Sequence, residues 1–134
     1  MEMRASRRER ILVIEDDAVM ARLLRVLLEG TGYEVRTERS GAAALTEAAD
    51  TPPDLVILDL GLPDMNGYEV CRQLRQQFRP WSLPVLMFTG KDKPVDQLRG
   101  FAFGADAYLT KPCDPEEILK TVALLLGHAD AECA

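Results

Sequence analysis

Residues 55–67 read LVILDLGLPDMNG, and this stretch decides the fold that we predict for the chain. It opens with four aliphatic residues, Leu55 to Leu58, a pattern typical of a strand buried on both faces of a parallel sheet. The strand ends on a carboxylate, Asp59, and a turn rich in Gly, Pro, Asp and Asn follows before a helical pattern begins at Gly67. A charge at the end of a buried strand is unfavourable unless something there binds it. Because ligands of open α/β sheets bind at the carboxyl ends of strands, Asp59 is the first candidate site residue.

Strand and helix patterns alternate along the rest of the chain. The predicted strands are 11–14, 33–37, 55–58, 84–88 and 107–110. Helix caps are predicted at Asp17, Ser40, Asn66 and Asp114, and a helix without a strong cap is predicted over 95–103. Glu69 stands three residues after Asn66, as in a capping box. The alternation predicts an α/β fold: a doubly wound, five-stranded parallel sheet of order 2-1-3-4-5 in a three-layer (βα)5 sandwich.

Composition and charge narrow the class of protein. The chain has 134 residues, of which 47% are hydrophobic and 28% charged, with a net charge of −6. These values suit one globular domain, which we place at 10–127, and argue against direct nucleic-acid binding. Residues 1–9 are expected to form a basic tail and 128–134 a C-terminal tail. No apolar stretch reaches the ~20 residues of a membrane span and no signal-peptide core is present, so a cytoplasmic protein is expected.

The cysteines and the histidine predict little chemistry. Cys71, Cys113 and Cys133 are odd in number and widely spaced, so they form neither a disulfide framework nor a CxxC motif. Cys71 and Cys113 are expected to be packing residues. His128 is the only histidine and lies near the C-terminus, which makes histidine catalysis improbable.

Polar side chains stand where the buried strands end: Glu15 and Asp16, Asp59, Thr89 and Lys111. Strands 1 and 3 are neighbours in the predicted order, ~4.8 Å apart, so Asp16 and Asp59 can share one cation with Glu15 close by. Oxygen ligands without His or Cys favour Mg²⁺. An aspartate beside Mg²⁺, a lysine and a hydroxyl can accept a phosphoryl group as an aspartyl-phosphate. Lys111 would then neutralise phosphoryl charge, and Thr89 would bind a phosphoryl oxygen.

At these residues the sequence resembles the response regulator receiver domains of two-component signalling, over about 10–127. The pieces that carry the resemblance are ILVIEDD at 11–17, LDLGLPDMNG at 58–67, FTG at 88–90 and AYLTKP at 107–112. The resemblance implies a flavodoxin-like fold. It also implies a phosphoacceptor switch, not an enzyme acting on other substrates, in which Asp59 receives a phosphoryl group from the phosphohistidine of a histidine kinase.

The resemblance carries further site residues with it. It implies that Mg²⁺ or Mn²⁺ binds to Glu15, Asp16, Asp59 and the backbone carbonyl of Gly61. Thr89 and Tyr108 are implied to move together on phosphorylation. The Lys111–Pro112 peptide bond is implied to be cis.

Two other functions compete with the switch. A haloacid-dehalogenase-type phosphatase also places a nucleophilic aspartate after an apolar strand, but it needs an acid two residues later, where this chain has Gly61. A degenerate receiver that only binds a partner would lack part of the set at the strand ends. Gly61 also departs from the larger or polar residues typical of receivers, which puts the lifetime of the phosphorylated state in doubt.

The route by which the signal leaves is the least determined feature. No DNA-binding helix pair follows Gly127 in this sequence. We therefore expect the helix around 95–103, the fifth strand and the last helix to contact a kinase, a phosphotransfer protein or an effector, with no direct nucleic-acid or membrane contact. A monomer or weak dimer is expected, because the last helix offers Lys120 as its only basic residue.

Overall fold

Five parallel strands form one sheet in a computed structural model that describes residues 8–79 and 82–128. The strands within this part of the chain are β1 (Arg10–Ile14), β2 (Glu34–Glu38), β3 (Leu55–Leu58), β4 (Val85–Thr89) and β5 (Ala107–Thr110). Their order is β2-β1-β3-β4-β5, which confirms the predicted fold class. The chain reverses direction across the sheet between β1 and β3, so the carboxyl ends of these neighbouring strands flank the crevice where ligands of such sheets bind.

Five helices connect and cover the described strands. They are α1 (Ala18–Gly30), α2 (Gly41–Asp50), α3 (Gly67–Gln77), α4 (Pro94–Ala102) and α5 (Pro115–Leu125). Three predicted caps are confirmed, since the side chains of Asp17, Ser40 and Asn66 accept hydrogen bonds from the first backbone amides of α1, α2 and α3. Asp114 occupies the cap position of α5 without a side-chain cap bond.

The predicted capping box at Asn66 and Glu69 is wrong in its second half. Glu69 does not reach back to the Asn66 amide, because its carboxylate is taken by Arg72 and Gln73 on the next turn of α3. A partly exposed helix face allows that alternative, since residues three and four apart are neighbours on a helix surface. The pKa of Glu69 falls to about 2, chiefly through its hydrogen bond with Arg72.

The core is split by the sheet into two layers, because successive strand residues point to opposite faces. Alternate residues of β1, β3 and β4 pack with α1 and α5 on one side: Ile11, Val13, Leu55, Ile57, Leu86 and Phe88 against Leu24, Leu28, Ile118 and Val122. The others pack with α2 and α3: Leu12, Ile14, Val56, Leu58, Val85 and Met87 against Ala44, Ala48, Val70, Cys71 and Leu74. Helix α4 is the exception, since Gly100 is its only buried residue.

The predicted tails fall mostly outside the described residues, as do Trp81 and Cys133. Where the tails are described, each contacts the domain: the Glu9 carbonyl accepts from the Glu34 amide, and the His128 ring stacks with that of Tyr33 at 6.4 Å between centres. The two tails also meet, since His128 Nε2 lies 2.8 Å from Glu9 Oε1. In the described part of the chain, no helix has the length and apolar character needed to cross a membrane.

Candidate functional site

The predicted polar residues meet at one edge of the sheet. Glu15 follows β1, Asp59 follows β3, Thr89 ends β4 and Lys111 follows β5. Two backbone hydrogen bonds extend the strand pairing into these positions: Asp59 N donates to the Ile14 carbonyl at 3.0 Å, and Lys111 N donates to the Thr89 carbonyl at 2.8 Å. The backbone therefore fixes the acids next to each other and the lysine next to the threonine.

Lys111 joins the two central carboxylates. Its Nζ lies 2.7 Å from Glu15 Oε1 and 3.4 Å from Asp59 Oδ2. Its ammonium also lies over the Phe88 ring, 5.5 Å from the ring centre, in a cation–π contact. The side chain of Glu15 is only 3% exposed, that of Asp59 14% and that of Lys111 20%. Because these charges lie largely out of water, their mutual attraction is stronger than at the surface.

The proton affinities of this group follow from its burial. Burial raises the pKa of Glu15, the hydrogen bond with Lys111 lowers it, and the charge of Asp59 raises it, with a net rise above 4.5. Burial lowers the pKa of Lys111, but the Glu15 hydrogen bond and the attraction of Asp59 more than offset it, with a net rise above 10.5. Lys111 therefore stays protonated at neutral pH, and the site resists additional negative charge unless a cation accompanies it.

The loop that follows Asp59 is held by three interactions. Asp59 Oδ1 accepts from the Leu60 amide at 2.7 Å. Gly67 lies so close to the loop that a Cβ there would be 2.6 Å from Leu60 Cα and 2.7 Å from the Asp59 carbonyl oxygen. The two oxygens of Asp64 accept from the Gly41 and Ala42 amides at 2.8 and 2.9 Å, which ties the loop to the start of α2. The Asp59 carboxylate thus stands on a firmly supported backbone.

The remaining predicted metal ligands lie beside this group. Asp16 is partly exposed, and its carbonyl accepts from Arg39 at 3.3 Å. Gly61 is exposed and pairs with Asn66 in an isolated antiparallel bridge. Among the residues that the structure describes, no three His, Cys, Asp or Glu side chains come close enough together to hold a metal ion. The ligand set implied by the resemblance therefore stays a prediction.

The chemistry of these donors nevertheless suits Mg²⁺. Carboxylate and carbonyl oxygens are its preferred ligands, and it needs few of them because it retains water. The three acids Glu15, Asp16 and Asp59 against the single charge of Lys111 leave two negative charges, which a divalent cation offsets. Burial first, and the negative charge of Asp59 after it, raise the pKa of Glu15, and a divalent ion beside the two carboxylates would offset that repulsion.

Thr89 and Tyr108, which the resemblance implies to move together, both form hydrogen bonds with the backbone of Lys91. Thr89 is 2% exposed, and its Oγ1 accepts from the Lys91 amide at 3.4 Å. The Tyr108 hydroxyl donates to the Lys91 carbonyl at 2.8 Å. Burial is the main cause that raises the pKa of Tyr108 to about 12, so its hydroxyl is neutral and can donate. The Lys111–Pro112 peptide bond is cis, as the resemblance implied.

Three residues with several contacts were not found by the sequence reasoning: Tyr68, Asp64 and Arg75. Tyr68 is buried at the start of α3 and contacts α4. Arg75 is 13% exposed and binds the loop between α4 and β5. A tyrosine or arginine on an amphipathic helix carries no local pattern that indicates such a partner. Only Asp64 has a sequence feature that could have indicated its role, since an acid in a turn can bind the N-terminal amides of a helix.

Comparison with known proteins finds one protein family and several regulators that the chain resembles. A sequence model of the response regulator receiver domain matches residues 11–123. The chain is 42% identical over 122 residues, 91% of its length, to the Bacillus subtilis alkaline phosphatase synthesis transcriptional regulatory protein PhoP, of which that match covers 50%. It is 42% identical over 127 residues, 95% of its length, to the DNA-binding response regulator MtrA of Mycobacterium tuberculosis, of which 54% is covered. The chain therefore spans about half the length of these curated relatives.

A solved structure is similar over nearly the whole domain. It is the BeF3-activated N-terminal receiver domain of Klebsiella pneumoniae RstA, with a TM-score of 0.84 and 30% identity. The similarity covers 89% of this chain and 99% of that one.

Proposed function

The chain belongs to the response regulator receiver domain family, and on that premise we propose that it is a phosphoacceptor switch in which Asp59 accepts a phosphoryl group. The observation that carries the proposal is the position of Lys111, whose Nζ lies 2.7 Å from Glu15 and 3.4 Å from Asp59 at the open end of the sheet. A fixed cation beside a carboxylate nucleophile supplies charge stabilisation where the phosphoryl group arrives.

The proposed transfer is a substitution at phosphorus and involves no change of oxidation state. A carboxylate oxygen of Asp59 attacks the phosphorus of a phosphohistidine, the new O–P bond forms as the N–P bond breaks, and the electron pair returns to the imidazole nitrogen, which takes a proton from water. Lys111 pairs with the phosphoryl oxygens. Thr89 Oγ1 already accepts from the Lys91 amide, so its own hydrogen is oriented away from that amide and can donate to a phosphoryl oxygen.

A divalent ion completes the proposed site. Glu15, Asp16, Asp59 and the Gly61 carbonyl would hold Mg²⁺ or Mn²⁺, which supplies further charge neutralisation on the phosphoryl oxygens when bound. Gly61 would contribute its main-chain carbonyl alone, because glycine has no side chain that could bind the ion. Its main-chain oxygen is therefore not shielded by a side chain of its own.

The direct test is labelling with a radioactive small phosphodonor, with and without Mg²⁺. Asp59→Asn should abolish a label that hydroxylamine releases, while Asp50→Asn, an exposed acid at the end of α2, should label like the wild type. Undiminished labelling of the Asp59 variant would falsify the assignment. Phosphodonor turnover without retained label would favour the phosphatase reading, and no label on the wild type would favour a binding module.

We further propose that the signal leaves through α4, β5 and α5 to a separate protein partner, and that the domain is a monomer or weak dimer. Apolar side chains support this face as a contact surface, since Val95, Leu98 and Phe101 of α4 are 54%, 70% and 47% exposed. The curated relatives, of which the matches cover 50% and 54%, are named as DNA-binding or transcriptional regulators. Our proposal of no direct nucleic-acid contact therefore concerns this stretch alone.

Light scattering tests the oligomeric part of this proposal. The protein should keep its monomer mass, or show only concentration-dependent weak association, when Mg²⁺ and beryllofluoride are added. A tight dimer that forms only with beryllofluoride would overturn it.

A further inference from the structure

Tyr68 starts α3 at a point that is pressed against the loop carrying Asp59. Its neighbour Gly67 donates from its amide to the Leu60 carbonyl at 3.2 Å. A Cβ on Gly67 would collide with the Asp59 carbonyl oxygen and Leu60 Cα, so the two backbones lie in direct contact. A displacement of the backbone after Asp59 therefore has to move the first turn of α3, and Tyr68 with it.

The side chain of Tyr68 reaches from this turn to α4. Its hydroxyl donates to the Asp96 carbonyl in the first turn of α4 at 3.2 Å. Its ring centre lies 5.6 Å from the Arg99 guanidinium carbon and 5.4 Å from the centre of the Phe103 ring. Tyr68 is 4% exposed, so these contacts are shielded from water. One side chain thus touches α4 near its start, along its length and at the residue that ends it.

Helix α4 has few other attachments. Only Gly100 is buried, and it packs against the Tyr108 ring so closely that a Cβ there would lie 3.0 Å from Tyr108 Cδ2. The Tyr108 hydroxyl binds the Lys91 carbonyl, which precedes the helix. Tyr108 therefore holds the approach and the inner face of α4, whereas Tyr68 holds its Asp96 carbonyl and the side that faces α3. The two tyrosines reach α4 from different elements, β5 and α3.

We propose that Tyr68 is a positioning residue that couples the loop after Asp59 to α4, by a route separate from Thr89 and Tyr108. The inference rests on the proposed phosphoacceptor function and deepens it. A change in the backbone after Asp59 passes through Gly67 to the Tyr68 hydroxyl and ring, and so alters the stability of one placement of α4 relative to another. Such a coupling has to appear as a difference between the two states, and not only as a loss of stability.

The test compares amide hydrogen exchange in α4 with and without Mg²⁺ and beryllofluoride as the phosphoryl mimic. Tyr68→Phe keeps the ring and removes the hydroxyl. Tyr33→Phe is the matched control, because Tyr33 is also buried but packs in the opposite layer with α1 and α5. The wild type should show a change in α4 exchange on adding the mimic. In Tyr68→Phe that change should shrink by about two- to tenfold, the effect of one lost hydrogen bond, while the mimic still binds.

Each outcome decides a separate question. If Tyr68→Phe changes amide exchange in α4 by the same factor with and without the mimic, Tyr68 is merely structural and the inference is overturned. An equal loss in Tyr33→Phe would overturn it as well. A wild type that does not respond to the mimic would defeat the proposed switch itself. If the routes are separate, Tyr68→Phe combined with Tyr108→Phe should reduce the response more than either change alone.

Discussion

Removing the Arg75 side chain should destabilise the domain more than removing that of Arg72, the other arginine of α3. Its Nε and Nη2 donate to the Gly104 carbonyl at 2.9 and 2.7 Å, and Nη1 donates to the Leu83 carbonyl at 2.6 Å. Nη2 also pairs with Asp106 Oδ2 at 2.6 Å. Arg75 therefore connects α3 to the loop between α4 and β5 and to Leu83, which lies two residues before β4. Arg75→Met keeps an unbranched, helix-forming side chain but leaves these acceptors without their donor.

The size of the effect follows from burial. Breaking a buried pair costs about 3–5 kcal/mol, and we expect the lower end, about 3 kcal/mol, since Asp106 is 33% exposed and keeps its bond from the Val85 amide. With a urea slope of about 2 kcal/mol per M for a domain of this size, the unfolding midpoint should fall by about 1.5 M. The assay is equilibrium urea unfolding followed by circular dichroism.

Arg72→Met supplies the matched control. Arg72 lies one turn earlier on α3, is 48% exposed, and pairs with Glu69 on the same helix. An exposed pair of this kind contributes about 0.2–1 kcal/mol, so the midpoint should move by less than about 0.5 M. If the two variants unfold at the same urea concentration, the Arg75 contacts contribute no more than a surface pair and the reasoning is refuted.

Three substitutions test the loop that follows Asp59, and one labelling experiment tests the burial of the cysteines. Gly67→Ala should destabilise the fold and slow labelling, because its Cβ meets backbone atoms, whereas Gly61→Ala, with open space around it, should be tolerated in unfolding and labelling assays alike. Cys71, whose pKa burial raises to about 11, should resist alkylation in the native protein while the partly exposed Cys113 reacts, as peptide mass spectrometry can show. The hydrogen bonds from the α2 amides lower the pKa of Asp64 below 3.8, so Asp64→Ala should destabilise the folded protein at neutral pH. The difference in free energy of unfolding between variant and wild type, measured in urea, should shrink as the pH falls through and below 3.8. A difference that grows on acidification would contradict this sign.

The sequence predicted the elements whose signals are local. An apolar run that stops at a charge identified the strand ends at Glu15, Asp59 and Lys111, and the parallel topology brings them together by geometry alone. Contacts that depend on tertiary packing had no such signal. The tighter bond of Lys111 to Glu15 than to Asp59 could not be read from spacing, because it depends on side-chain reach across the sheet. Glu69 failed as a capping residue because an arginine one turn later competed for its carboxylate.

The attachments of α4 explain why this helix, and not the part of α3 beyond its first turn, is suited to move. Moving α3 would expose the side chains of Val70, Cys71 and Leu74, each of which is fully buried, at about 1.5–3 kcal/mol for an aliphatic residue. Helix α4 itself buries only Gly100, and a hydrogen bond such as the one from Tyr68 contributes about 0.5–1.5 kcal/mol. The free energy that holds α4 is therefore a few kcal/mol, comparable to what differential binding of a phosphoryl group can supply. A tighter packed α4 would need a larger input, so replacing an exposed Val95 or Leu98 should leave the response of α4 to a phosphoryl mimic unchanged, while weakening any partner that binds there.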